Sequence, residues 1–242
     1  MGINAGAVKG KGRAESNFAE KQEDLDGVYP ARLVQVIDLG LQPQRDYNGA
    51  PVAPKYSVYF TFELCDTFML DKEGKEIEDK PRWISYEIPL YPLVADRAKS
   101  TKLAAALDPD SLLNGDFSQM VGFPLNVSLT TTHKGEKTFT NVVGVSQMRA
   151  KDAAKLEELK NPTKVFDLDK PDLDVFNSLP DWLKNKIKGN LGYASSKLQA
   201  LLGDAGKDEA PKEEQVPKKE GKKPDPIPEP EEEAGADDDA PW

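Results

Sequence analysis

The chain has 242 residues with one histidine, His133, and one cysteine, Cys65. That scarcity removes most catalytic chemistry at once. A structural zinc site takes about four Cys, His or carboxylate ligands, and a Ser or Cys nucleophile needs a base beside it. No glycine-rich loop is followed by Lys-Ser or Lys-Thr, so the phosphate cradle of a nucleotide site is missing from the sequence. The carboxylates fall mainly in polar turns and in the last forty residues, where solvation accounts for them. No catalytic residue, metal ligand or cofactor is expected.

Binding of single-stranded nucleic acid makes other demands: aromatic faces for bases and basic side chains for phosphates, set on a groove between loops. Tyr59 and Trp83 stand on the outward side of two alternating segments, beside Ser57, Thr61 and Ser85. Arg45 and Tyr47 lie in the loop before the first segment, with Lys55 at its end. Arg82 adjoins Trp83, and Lys134 and Lys137 bracket a polar turn further on. Each residue also has a plainer reading. Trp83 is either a stacking platform or a residue covered by later helices, and Tyr59 either meets a base or pairs across the sheet. The basic residues double as ordinary surface charge. Glu63 and Glu87 share the face and oppose an anionic ligand.

A second feature is the end of the chain, Asp237-Asp238-Asp239-Ala240-Pro241-Trp242. From Asp225 onward there are eight acids, four prolines and no Lys or Arg. Proline and like charge forbid a packed element there. An aromatic beside a free carboxylate on an acidic string suits docking, the ring in a partner's pocket and the acids on its basic rim. Asp237, Asp238, Asp239, Pro241 and Trp242 are the candidate docking residues; the plain alternative is a solubilising tail.

The elements that must hold the aromatics can be read from alternation. A first strand runs from Val28 to Leu39 with apolar residues on both faces. Leu41 to Pro54 is a loop or small hairpin around Asn48-Gly49. A second strand, Tyr56 to Leu64, turns Tyr56, Val58, Phe60, Phe62 and Leu64 inward, and a third, Arg82 to Ile88, turns in Ile84, Tyr86 and Ile88. A helix covers 100–107, and strands follow at Phe123 to Thr130 and Thr138 to Val145. Helices are then expected over 151–159, from a cap at Ser178, and around Leu198 to Leu202. Three strands, a helix and two strands is the element order of the five-stranded OB barrel, whose ligand face is the outside of its second and third strands. The expected fold is thus mainly β with accessory helices. It divides into a flexible basic arm (1–22), an OB domain (23–150), a helical extension that packs on the barrel or mediates self-association as a homodimer (151–202), and a disordered acidic tail (203–242). The arm either touches DNA or has no role.

Charge is uneven along this order. Of the formal net charge of −10, residues 203–242 carry −8, from 14 acids and 6 bases. The part that folds is nearly neutral, and overall acidity does not argue against a nucleic-acid partner. No run approaches the ~18 apolar residues of a membrane span, and a lone cysteine suits a reducing compartment. A cytoplasmic protein without membrane association is expected.

The tail tip resembles the acidic tail of bacterial single-stranded-DNA-binding proteins, with Trp242 where those usually end in Phe. In that family the tail recruits replication and repair proteins and competes with DNA for the binding groove. With the barrel order and the Leu-Pro-Asp-Trp-Leu helix at Leu179 to Leu183, residues 27 to about 202 resemble single-stranded-DNA-binding proteins encoded by bacteriophages. The resemblance implies a non-catalytic role in replication, recombination and repair of phage DNA, in the host cytoplasm. Two other readings compete: a β-domain adaptor that acts through its tail alone, and an acidic DNA mimic that inhibits a nuclease. A small carboxylate enzyme is the least favoured.

Overall fold

Three long antiparallel strands begin the fold, and the computed structural model describes Phe18, residues 22–135 and residues 137–203. Strand β1 spans Gly27–Gln42, β2 Lys55–Leu70 and β3 Glu76–Pro89. Helix α1 (Lys99–Leu107) follows, and β4 (Pro124–Lys134) and β5 (Lys137–Gln147) form a hairpin. The remainder is α2 (Ala150–Ala153), β6 (Lys164–Phe166), α3 (Leu173–Asn177), α4 (Asp181–Lys188) and α5 (Lys197–Leu202). The described residues all belong to one compact unit. The expected arm, apart from Phe18 and Gln22, and the expected tail beyond Gly203 lie outside them.

The protein is mainly β: one six-stranded sheet runs β3-β2-β1-β4-β5, and β6 joins β1 in parallel. The hydrogen-bonded path ends at β3 and β5 and is not closed, although these two strands approach each other. β1 is its spine. One edge of β1 pairs with β2 from Ala31 to Gln42; the other takes β4 at Gly27 to Arg32 and β6 at Gln35 to Ile37. Bulges at Leu33/Gln35 and Asp38/Gly40 bend it, and a bulge increases the local twist of a strand.

Both faces of β1 are buried, which explains its apolar residues on both sides. Leu33 and Ala31 enter a first core with Phe60, Phe62, Ile84, Ile88, Leu103 and Leu125. Phe60 meets Phe117 edge-on at 4.9 Å between ring centroids. Ile37 and Leu39 enter a second core with Phe166, Phe176, Leu179, Leu183, Ile187 and Leu198. The extension therefore packs on the outside of the sheet. Gly40, at φ +71°, marks the tightest approach: a Cβ there would come within 2.8 Å of Asn190 and 2.9 Å of Leu168.

Several sequence expectations need correction. The helix expected over 151–159 stops at Ala153, because the Arg32 guanidinium takes the carbonyls of Leu156 and Glu157 at 3.1 and 2.8 Å. Ser178 does not cap α4; its hydroxyl bonds the Val175 carbonyl at the end of α3, and α4 begins after Pro180. Tyr56 is exposed rather than in the core, and its phenol donates to the Asp38 carboxylate. Ser57, Thr61 and Glu63 point outward from the first core yet are buried, because the extension lies over them.

Candidate nucleic-acid interface

On the outer face of β2 and β3 the cross-strand partners are Tyr59 with Glu87, Thr61 with Ser85 and Glu63 with Trp83. Alternation puts all six on one side, and the extension then decides what each can do. Glu63 is only 2% exposed. Its carboxylate accepts from the Trp83 indole Nε1 at 3.0 Å, the Lys160 amide at 2.7 Å and Asn161 Nδ2 at 2.7 Å. Glu87 accepts from Lys186 Nζ of α4 at 2.5 and 2.6 Å. Both acids that opposed an anionic ligand are thus engaged within the protein.

Tyr59 is half-buried; its hydroxyl donates to Ser85 Oγ, and its ring meets Trp182 of α4 edge-on at 5.4 Å. Trp83 keeps 41% of its surface exposed and Trp182 52%. Tyr59, Trp83 and Trp182, with Ser85, Lys164 and Pro180, line a cleft of about 220 Å³. That is smaller than the ~300–1,000 Å³ of sites for drug-sized molecules, and it suits a single planar ring.

A larger groove of about 760 Å³ lies at the far end of β1, lined by Arg45, Tyr47, Lys55 and Lys186, with Asp46 and Glu87 as its acids. A tight turn sets this loop: Tyr47 and Ala50 bridge across Asn48 and Gly49, both at positive φ, 51° and 78°. This is the conformation Asn-Gly adopts at little cost. Tyr47 stands 72% exposed. Lys55 donates to the Tyr91 hydroxyl and lies 5.0 Å from that ring's centroid.

Groove and cleft meet at the Tyr59–Glu87 pair, with α4 forming a wall of both: Trp182 in the cleft and, one turn on, Lys186 in the groove. The remaining candidates sit elsewhere. Arg82 donates to the Glu23 carbonyl at 2.6 Å and anchors the segment before β1; burial pulls its guanidinium down from its ordinary value. Lys134 is exposed at the tip of the β4–β5 hairpin, and Lys137 pairs with it there; the Lys137 side chain lies outside the described residues. His133 in the same hairpin bonds Asp24 at 3.0 Å. The structure therefore brings Arg45, Tyr47 and Lys55 together, joins Tyr59 to Trp83, and leaves Arg82, Lys134 and Lys137 at the opposite end of β1. The five docking residues, Asp237, Asp238, Asp239, Pro241 and Trp242, lie outside the described residues.

Sequence reasoning did not single out Trp182 and Lys186. A signal for them exists in the helix periodicity. Leu183 and Ile187, four apart, are buried at 1% and 0% exposure, so Trp182 and Lys186 form the neighbouring stripe four apart.

Two side chains near the groove hold shifted protons. Burial pushes the Asp38 carboxyl up, against hydrogen bonds from Tyr56, Gly40 and Leu168 that pull it down. Burial and then the Asp38 carboxylate push the Tyr56 phenol up. Burial also raises the Cys65 thiol to about 11, so it stays protonated and poorly nucleophilic near neutral pH. Among the described residues no cluster of His, Cys, Asp and Glu is arranged to hold a metal, and no helix is long and apolar enough to cross a membrane. No family model, curated protein or solved structure matches the chain.

Proposed function

We propose that the protein is a non-catalytic, sequence-tolerant single-stranded-DNA-binding protein of the kind bacteriophages encode, acting in replication, recombination and repair in the host cytoplasm. The observation that carries this reading is the junction of the groove bearing Arg45, Tyr47 and Lys55 with the aromatic cleft of Tyr59 and Trp83 on one face. Phosphates run along the basic groove and bases enter the cleft, a division of labour that needs no base-specific contact. The internal pairing of Glu63 and Glu87 supports it by removing two opposing charges. The order of three strands, a helix and two strands, with β3 and β5 brought near each other, supports an OB barrel as the scaffold.

Arg82, Lys134 and Lys137 extend the basic track at the other end of β1. The acidic tail recruits replication or repair proteins through Asp237, Asp238, Asp239, Pro241 and Trp242, and competes with DNA for the basic groove. A titration of labelled single- and double-stranded oligonucleotides at several salt concentrations tests the reading. Single strands should bind more tightly than duplex, and affinity should fall with salt as counterions are released. Equal affinity for duplex, or no binding at low salt, would refute it. The burial of Ser57, Thr61 and Glu63 under the extension favours the adaptor as the second reading; that alternative expects no oligonucleotide affinity and capture of a basic partner by the tail.

A further inference from the structure

We infer that α4 is part of the binding surface, with Trp182 as a second stacking residue and Lys186 as a phosphate contact that exchanges Glu87 for the ligand. This rests on the single-strand-binding reading and deepens it.

The helix has two jobs that its residues divide. Leu183 and Ile187 fix it in the second core, both essentially without exposure. Trp182 and Lys186, the next stripe, are left with solvent on one side. A tryptophan that served only to cover Tyr59 would be buried by it. Trp182 instead touches Tyr59 edge-on and keeps 52% of its surface exposed, on a cleft that it shares with Trp83. The Trp83 indole is held by the buried Glu63 carboxylate, so one aromatic wall of the cleft is fixed before any ligand arrives. A cleft of about 220 Å³ with a tryptophan on each of two elements is built for one flat ring, and every base offers such a face.

Lys186 stands where the cleft opens into the groove, and its ion pair with Glu87 separates the two spaces. The side chains of this pair are 33% and 37% exposed, and a pair this accessible to water holds weakly. A phosphate entering the groove beside Arg45 and Lys55 offers Lys186 a partner of higher charge. When Lys186 turns to it, Glu87 is released into solvent at the groove wall, and cleft and groove become one path. Glu87 is then an internal competitor: a carboxylate that occupies a phosphate-binding lysine until a polyanion displaces it.

The test uses full-length protein and two probes of equal length, oligo(dT) and oligo(U), so that the sugar preference is read alongside. Affinity is measured as a function of salt for wild type, Glu87→Gln, Lys186→Gln, Trp182→Leu and Trp182→Phe, with a thermal melt for each. Glu87→Gln should bind more tightly than wild type and steepen the logarithmic salt slope, by about 0.7 for one added phosphate contact on a single strand. Lys186→Gln should weaken binding and flatten the slope by about the same amount. Trp182→Leu, apolar but without a stacking face, should lose roughly 5- to 150-fold in affinity, while Trp182→Phe retains most of it. A merely structural pair would lower the melting temperature in both charge variants and leave the salt slope alone, and that result overturns the inference. So does equal binding by Trp182→Leu and wild type. If wild type binds neither probe, the single-strand reading itself fails; if it binds while Glu87→Gln does not tighten, only the role of α4 fails.

Discussion

Glu63 on β2 and Trp83 on β3 are cross-strand partners, and the Trp83 indole nitrogen donates to the buried Glu63 carboxylate at 3.0 Å. The same carboxylate takes the Lys160 amide and the Asn161 side chain. One acid therefore orients an exposed aromatic and also fastens the segment that leads to β6. Replacing Glu63 with Gln keeps the shape but turns one accepting oxygen into a donor facing donors. A buried polar group left unmatched costs about 1–3 kcal/mol. Glu63→Gln should lose stability on that order in urea melts, with faster amide exchange over residues 156–164. Unchanged protection there would mean that the clamp is redundant with Arg32, whose guanidinium holds the Leu156 and Glu157 carbonyls.

Trp83→Ala and Tyr59→Ala should each weaken single-strand binding by about 1–3 kcal/mol, the range for one stacked base. Tyr59 also packs against the second core, so Tyr59→Phe, which keeps the ring and loses the bond to Ser85, belongs beside it and should bind nearly as wild type. Phe60, fully buried against Phe117, is the contrasting control. Its replacement by Ala should cost about 3–5 kcal/mol of stability. A Trp83→Ala protein that melts early and keeps its affinity would place Trp83 among the structural residues instead.

The mainly-β character and the order of strands are legible in the sequence because alternation is strict where one face is buried. Phe60, Phe62 and Leu64 face Ile84, Tyr86 and Ile88 across the first core, as their spacing predicts. Alternation does not report what lies on the other face. Ser57, Thr61 and Glu63 read as solvated positions and are buried, since the cover comes from more than 90 residues later in the chain, as the Glu63 bonds to Lys160 and Asn161 show. β6 has three residues, too few for any period to register. Tyr56 obeys the alternation and still escapes the core, because it stands at the start of β2 beside the groove, where Asp38 takes its hydroxyl. Of the candidate site, the residue types were readable and their grouping was not. Arg82 sits next to Trp83 in sequence, yet turns to the Glu23 backbone.

Asp38 supplies a pH test. Burial raises its carboxyl above the ordinary value, with the nearby Asp167 carboxylate adding to the rise. Such a group binds more protons folded than unfolded. Its share of stability is therefore full below the unfolded value of about 4 and is lost as pH rises through the folded value. Asp38→Asn cannot titrate, so its melting temperature should decline less than that of wild type between about pH 4 and neutrality. Parallel curves for the two proteins would show that Asp38 contributes nothing to the pH dependence.

The tail separates into charge and anchor. Deleting residues 225–242 removes eight acids and no Lys or Arg. A tethered polyanion competes at high local concentration, so the truncated chain should bind single strands more tightly. The gain should be largest at low salt, where screening is weakest. Trp242→Ala changes no side-chain charge; it should leave DNA affinity near wild type and abolish pull-down of a replication or repair protein. Retention of every partner by Trp242→Ala, together with unaltered affinity in the truncation, would reduce the tail to a solubility device.

The parallel pairing of β6 with Gln35, Val36 and Ile37 fills the part of the β1 edge that β4 leaves open. An uncovered edge is a template for any strand of matching register, and the best match in solution is β6 of a second copy. Nothing in the pairing itself distinguishes a chain's own β6 from a neighbour's. That choice falls to the tether, residues 154–163, held short by Arg32 and Glu63. A tether loosened at either residue lets two molecules exchange their extensions and close each other's second core, giving a swapped dimer with no interface beyond those present in the monomer.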